Sequence, residues 1–387
     1  MTDWGNYLRN AIDASDVAGV SKVQQEGLEG EDAWSAHLEL FPAVQRVLNP
    51  PFINPHLPKM YAVCRDLRPY LASEDMAKLL YLEGAEYARR PKLEIYPGSP
   101  PEPRDGATLF SHVQEAIRSR DVKSAALLFD AYLRQHGARE LARRLLLLGS
   151  GYLVETLGHS LSCTALILRE MLARKDQDPW PVLVLLADYF IKGRFDVTPP
   201  LKRRNAATPA LSDIMRSTTG ASFVDIHHTI TLYAIDRVAD LLTREEQAHL
   251  VARWLEWMGE KEPPREVPFE APKQIACPGY ATFYRHYAAL DAHALLPLVV
   301  RLAASPDGRR FLGRFLVKGL CDLYQGGYDP HYVTGLGAAL WVTEKYPGHL
   351  PLVASALRQY VDFLFRQLGK AQQPGTRAGG GNGQPAG

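Results

Sequence analysis

Along most of the chain, apolar residues recur at steps of three and four, the spacing that predicts amphipathic helices. The clearest run is 223–242, where Ile226, Ile230, Ala234, Val238 and Leu241 form one stripe. The same period predicts helices over 4–12, 32–41, 59–67, 74–89, 107–118, 122–135, 138–152, 159–173 and 181–192. After the central run it returns over 244–258, 280–290, 293–303, 309–324, 331–345 and 350–368. Ser73 stands where the N-cap of 74–89 belongs, Pro91 stops that helix, and Thr243-Arg-Glu-Glu246 reads as a capping box. Nowhere do β-branched or aromatic residues alternate between paired turns, so the expected fold class is all-α: a multi-helix single large domain with a histidine-lined interior site.

Breaks in the pattern suggest the organisation. Residues 1–48 read as an N-terminal helical extension, 49–368 as one histidine-rich domain, and 369–387, rich in Gly, Gln and Pro, as a disordered tail. Pro-rich connectors lie at 96–103 and 196–208, and the irregular stretch 262–272 is either a lid or a plain surface excursion. No period of repeats recurs cleanly.

Composition narrows the class. In 387 residues, 46% are apolar and the formal net charge is +1, so no global field recruits nucleic acid or an anionic membrane. The basic runs Arg89-Arg90 and Lys202-Arg-Arg204 read as solvated loops. Cys64, Cys163, Cys277 and Cys321 are far apart and form no C-x-x-C, which favours reduced core thiols over a disulfide framework. The N-terminus lacks a basic region followed by an apolar core, and no uncharged apolar run is long enough to span a bilayer, so the cytoplasm is the expected location.

The histidines carry the candidate chemistry. Within the central run, His227 lies on the apolar stripe and His228 is rotated a third of a turn away. Asp329-Pro-His331 and Asp291-Ala-His293 each open a further apolar helix, Gly158-His159 opens another, and Asn54-Pro-His56 stands ahead of a fifth. A hydroxyl follows three residues after His159 (Ser162), His228 (Thr231) and His331 (Thr334). One histidine on an apolar stripe is ordinarily a core residue with satisfied nitrogens. Five at matching helix starts point to facing helices that each lend one imidazole to a transition metal. In that reading Asp225, Asp291 and Asp329 act as N-caps or orient the rings by accepting their second N–H.

Familiar motifs are missing. Gly335-Leu-Gly337 and Gly149-Ser-Gly151 lack the strand and third glycine of a phosphate loop and read as close helix contacts. There is no C-x-x-C-H, H-E-x-x-H or G-x-S-x-G, and Glu83, Glu86 and Glu155 have no histidine three residues on, as a carboxylate-bridged di-iron site would require of them.

With these histidines placed, the chain resembles the questin oxidase-like family. The likeness runs through Asn54-Pro-His-Leu-Pro-Lys-Met-Tyr-Ala-Val, the helix closing at Tyr87-Ala-Arg-Arg-Pro91, Gly158-His159, Asp291-Ala-His293 and Gly326-Gly-Tyr-Asp-Pro-His331, and so spans most of residues 50–345. The middle block is poorer in His and Gly than the family's, and Leu296 stands where its pattern has a lysine. The resemblance implies an α-helical oxygenase that uses non-haem iron, held mainly by histidines, to oxidise or cleave polycyclic aromatic substrates such as anthraquinones. Carried over, it makes His56, His159, His293 and His331 ligands and catalytic residues. For the central helix, Asp-x-His spacing selects His227 and the hydroxyl at plus three selects His228.

The implied cofactor is therefore Fe(II), with NADPH a candidate reductant, and the partners are O2 and a small aromatic substrate. Tyr233, Tyr280, Phe283, Tyr284, Tyr287, Tyr328 and Tyr332 offer aromatic walls for it, although any one of them is more often core or rim. Two rival readings stand beside this one: a metal-free hydrolase or isomerase using histidine acid–base chemistry, and a non-catalytic helical binding protein.

Overall fold

The computed structural model describes residues 3–26, 28, 30–98, 106–174, 176–202, 207–260 and 278–372. Helices, from the single turn Phe41–Val44 to the six turns of Leu350–Gln372, account for most of the described residues, which form one all-α domain, with no strand among them beyond two isolated bridges. The expected helices appear, with boundaries moved where capping or local strain decides them. The first histidine helix begins at His56 itself and runs His56–Leu67, because Pro58 falls in the first turn, where a missing N–H costs nothing. Ser73 is not a cap but opens a 3-10 turn, Ser73–Asp75, ahead of Met76–Ala88. The central helix is α over Phe223–Arg237 and then tightens into a 3-10 turn, Ala239–Leu241. Thr243 and Glu246 form the expected capping box. The helices Val17–Gln25, Phe41–Val44 and Leu211–Ser217 are additions to the sequence reading.

The core is continuous. Leu8, Ile12, Val20 and Val23 of the N-terminal helices share it with the helices of 56–365, packing chiefly on Met76–Ala88. At its centre four helices, His56–Leu67, His159–Ala173, Phe223–Arg237 and His331–Lys345, touch one another. They run in the same direction. Their N-terminal ends meet through the histidines described below, and their other ends meet where Arg65 pairs with Glu170 (3.3 Å), Arg237 pairs with Asp66 (2.8 Å) and the rings of Tyr233 and Trp341 lie 6.1 Å apart. Close packing depends on small residues at the crossings. A Cβ at Gly337 would come within 2.3 Å of Val63, and one at Gly149 within 2.5 Å of the Ser160 carbonyl, so these two are close helix contacts, whereas Gly151 faces Pro199 of the connector.

The final helix, Leu350–Gln372, continues past residue 368; the rest of the tail, the 262–272 stretch, Arg203, Arg204 and Cys277 lie outside the described residues. Cys64, Cys163 and Cys321 are buried free thiols. Among the described residues no helix is long and apolar enough to cross a membrane.

Candidate metal centre

Each of the four central helices carries one imidazole to the same point. His56, His159 and His331 are the first residues of their helices, and His227 sits one turn into its own. The Nε2 atom of His159 lies 2.7 Å from that of His56, 3.0 Å from that of His227 and 3.2 Å from that of His331, and His227 and His331 are 2.8 Å apart. The donor atoms of His56, His159 and His331 all fall within 4.8 Å of one another. The rings meet edge-on, at interplanar angles of 65° to 86°, as ligands around an ion do and stacked rings do not. All four are buried.

The other nitrogen of each ring is engaged outward. His159 donates its Nδ1–H to the Thr156 carbonyl at 2.6 Å, His227 donates to the Phe223 carbonyl, and His331 donates to Asp329 Oδ1 at 2.5 Å. Carbonyl and carboxylate oxygens only accept, so in these three rings the proton is on Nδ1 and Nε2 presents a lone pair. Nδ1 of His56 faces the Asn49 carboxamide 3.0 Å away; a ligating His56 calls for the amide oxygen there. The turn Asn49-Pro-Pro-Phe52, closed by the Phe52 N–H donating to the Asn49 carbonyl at 3.0 Å, sets Asn49 beside the ring.

Lone pairs aimed at one another across about 3 Å repel, and a cation between them turns the arrangement favourable. Nitrogens bound at about 2.0–2.1 Å to a shared ion and set at right angles are about 3 Å apart, the spacing seen. A proton is a poor candidate for that cation. Burial pushes His56, His159 and His227 well below the ordinary 6.5, and neighbouring positive charge, including Lys59, pushes them further. The positive ends of four helix dipoles act in the same direction. Burial alone would raise the half-buried Asp329 carboxyl, but the neighbouring His331, through its ring and its two N–H bonds, holds it below its usual range.

Not every expected residue joins the cluster. His293 is exposed: Asp291 caps Ala292–Ala303 by accepting the Ala294 N–H at 3.0 Å, and the buried face of that helix is Leu295, Leu298, Val299 and Leu302. Its placement corrects the Asp-x-His reading, since the motif here is an ordinary helix start. His228 is buried on another face, its ring 4.4 Å from Trp257, and lies apart from the four. Asp225 closes a capping box with Ser222, and the His227 Nδ1–H goes to the Phe223 carbonyl instead. Of the aromatic walls, Tyr233 points to the far end of the bundle, where it donates to Asp66 and lines a cleft of about 390 Å³ with Arg65, Arg237 and Trp341. Tyr280 and Tyr284 bind Asp322, and Phe283 and Tyr287 are core.

Three features went unseen in the sequence. Lys59, one turn along from His56, is fully buried with no hydrogen-bond partner for Nζ, and burial lowers its pKa. Glu86, also fully buried, accepts the backbone N–H groups of Gly327 (2.7 Å) and Tyr328 (3.2 Å), fixing the turn that delivers His331. Phe52, Ile53, Phe223 and Val224 are exposed beside the clustered histidines, with Phe223 5.4 Å from the His331 ring and Phe52 6.1 Å from that of His56. Flanking residues of apolar type were the only signal for this rim.

A serine–histidine pair elsewhere has the wrong polarity for nucleophilic catalysis. His249 Nδ1 accepts the Lys202 N–H at 2.8 Å, so Nε2 is the protonated nitrogen and donates to Ser150, whose hydroxyl donates to the Leu147 carbonyl. Comparison of the chain with protein-family models, curated proteins and solved structures gives no match.

Proposed function

We propose that the protein is a non-haem iron oxygenase that holds Fe(II) on His56, His159, His227 and His331 and uses O2 to oxidise or cleave a ring of a polycyclic aromatic, anthraquinone-like substrate. The observation that carries this reading is the meeting of four buried Nε2 atoms, at least three of them with the Nδ1 proton tied to an oxygen elsewhere. The donor set fits: imidazoles with no thiolate suit a divalent first-row ion rather than a zinc–thiolate or iron–sulfur site, and iron is the member of that group the family resemblance implies.

When bound, iron(II) supplies the activation of O2 that a closed-shell aromatic ring cannot achieve unaided. The chain supplies the rest. Thr156, Phe223 and Asp329 fix the ring orientations, so the donors need no rearrangement on binding. Burial of the four imidazoles keeps bulk water from the donors. The exposed rim of Phe52, Ile53, Phe223 and Val224 offers a flat apolar substrate surface to cover, at about 25 cal/mol per Å² buried. NADPH is the candidate reductant and the cytoplasm the proposed location, where Cys64, Cys163 and Cys321 stay reduced.

The test is O2 uptake by protein reconstituted anaerobically with Fe(II) and offered a hydroxyanthraquinone. Uptake that depends on the aromatic substrate and stops on chelation supports the reading. Turnover that survives chelation favours acid–base chemistry, and an iron-loaded protein that consumes no O2 with any polycyclic aromatic overturns the oxygenase assignment.

A further inference from the structure

A line of tyrosines leads away from the metal-binding end of the bundle. Tyr332 follows the ligand His331 directly in the chain. Its ring lies 5.2 Å from that of Tyr328, which lies 5.0 Å from Tyr324, which lies 5.6 Å from the half-buried Tyr81 on the neighbouring helix Met76–Ala88. Packing alone does not call for four successive phenols here; phenylalanine would fill the same space. What phenols add is one-electron chemistry, and electron transfer between rings at contact distance is fast.

The hydroxyl partners differ along the line. Tyr328 donates to the Leu320 carbonyl at 3.1 Å, an oxygen that cannot take the proton away. Tyr324 donates to Glu86 Oε1 at 2.6 Å, and the second oxygen of that buried carboxylate, 3.5 Å from the Arg90 guanidinium, makes no hydrogen bond. An oxidised phenol becomes a strong acid, so an electron hole passes through Tyr328 and comes to rest at Tyr324, where Glu86 receives the proton.

We propose that Tyr332, Tyr328, Tyr324 and Tyr81 form a relay that drains one-electron oxidising equivalents from the metal centre to the surface when oxygen chemistry runs without substrate. The proposal rests on the iron-centre reading. With hydrogen peroxide as oxidant the balance is complete. Reducing one peroxide to two waters takes two electrons and two protons: one electron comes from iron(II), one electron comes from the tyrosine line, and both protons come from solvent. The Tyr324 O–H bond breaks, its proton resting on Glu86. At Tyr81 a soluble one-electron donor such as ascorbate or a thiol returns the electron, and the proton on Glu86 restores the phenol.

The full-length chain loaded with Fe(II), without aromatic substrate, is mixed with one equivalent of hydrogen peroxide, freeze-quenched and read by electron paramagnetic resonance and by peptide mass spectrometry. The wild type is expected to give a tyrosyl-radical signal that ascorbate removes. Tyr328→Phe and Tyr324→Phe are expected to lose most of it and to show severalfold more oxidation of His331, Tyr332 and Phe223, while Tyr132→Phe, far from the line, behaves as wild type. Radical yield and oxidation pattern unchanged in both relay variants at equal iron content would overturn the proposal and leave the metal reading intact. Failure of the wild type to bind iron would remove the metal reading, and the relay with it.

Discussion

His56 and His159 are 103 positions apart in the chain, yet their Nε2 atoms lie 2.7 Å from each other at the start of two parallel helices. Neutral imidazoles do not hold that geometry for packing alone, and much of what can be tested follows from it.

His159 stands nearest the centre, with its Nε2 within 3.2 Å of the three others. His159→Ala is therefore expected to abolish stoichiometric metal binding, a larger effect than the roughly 10- to 100-fold typical of outer-shell partners. The exposed His293 gives the matched control: His293→Ala is expected to keep full metal content and to shift stability by less than about 0.5 kcal/mol. Equilibrium dialysis with elemental analysis reads both.

Asp329 and Asp291 look alike in sequence and differ in role. Asp329→Asn keeps an acceptor for the His331 Nδ1–H but removes its charge, so metal affinity is expected to fall about 10- to 100-fold with the fold retained. Asp291→Ala removes the cap on the Ala294 N–H and is expected to cost about 1 kcal/mol of stability with metal affinity unchanged. Metal titration and denaturant melts separate the two; equal effects of both on metal binding would contradict the assignment.

Acid should act on the metal-free protein through the same rings. His56, His159 and His227 have folded pKa values well below 6.5, so below that pH the unfolded chain binds more protons than the folded one. Their contribution to stability is fully present above 6.5 and is lost as pH falls through that value toward the folded pKa values. Bound metal competes with those protons and should shift the loss to lower pH. Melting temperatures of metal-free and loaded protein between pH 8 and pH 4 check the sign: a metal-free protein that gains stability on acidification would contradict buried neutral rings.

The helices were legible because their apolar period is strong and the core they build is continuous. The choice between His227 and His228 was harder. Residues 226–235 are buried on every side, so a second histidine can hide in a helix interface, against Trp257, without touching the site. The stripe of Ile226 and Ile230 marked the face of His227, but motif spacing gave equal weight to its neighbour. His293 misled for a different reason: Asp two residues ahead of His is what any capped helix start can look like, and only tertiary placement tells a ligand from a surface residue. Lys59 and Glu86 were illegible because long charged side chains are seldom buried, and nothing local to them says otherwise.

Gly158 offers a test of how tightly the site is built. It holds φ +76°, and a Cβ there would meet Thr231 Oγ1 at 2.2 Å and the Trp257 ring at 2.9 Å. Gly158→Ala combines left-handed strain with a collision between two central helices, so a loss of more than about 2 kcal/mol is expected. Because His159 is the next residue, metal affinity should fall as well; calorimetry and metal titration on one sample would show both, and an unaffected variant would contradict the packing at this crossing.

The most direct measurement is the metal content of the purified full-length chain after anaerobic reconstitution with Fe(II) and removal of loose ions. One iron per chain in the wild type, absent in His159→Ala and retained in His293→Ala, is the expected result. A well-folded wild type that retains no metal ion at neutral pH would contradict a centre held by His56, His159, His227 and His331.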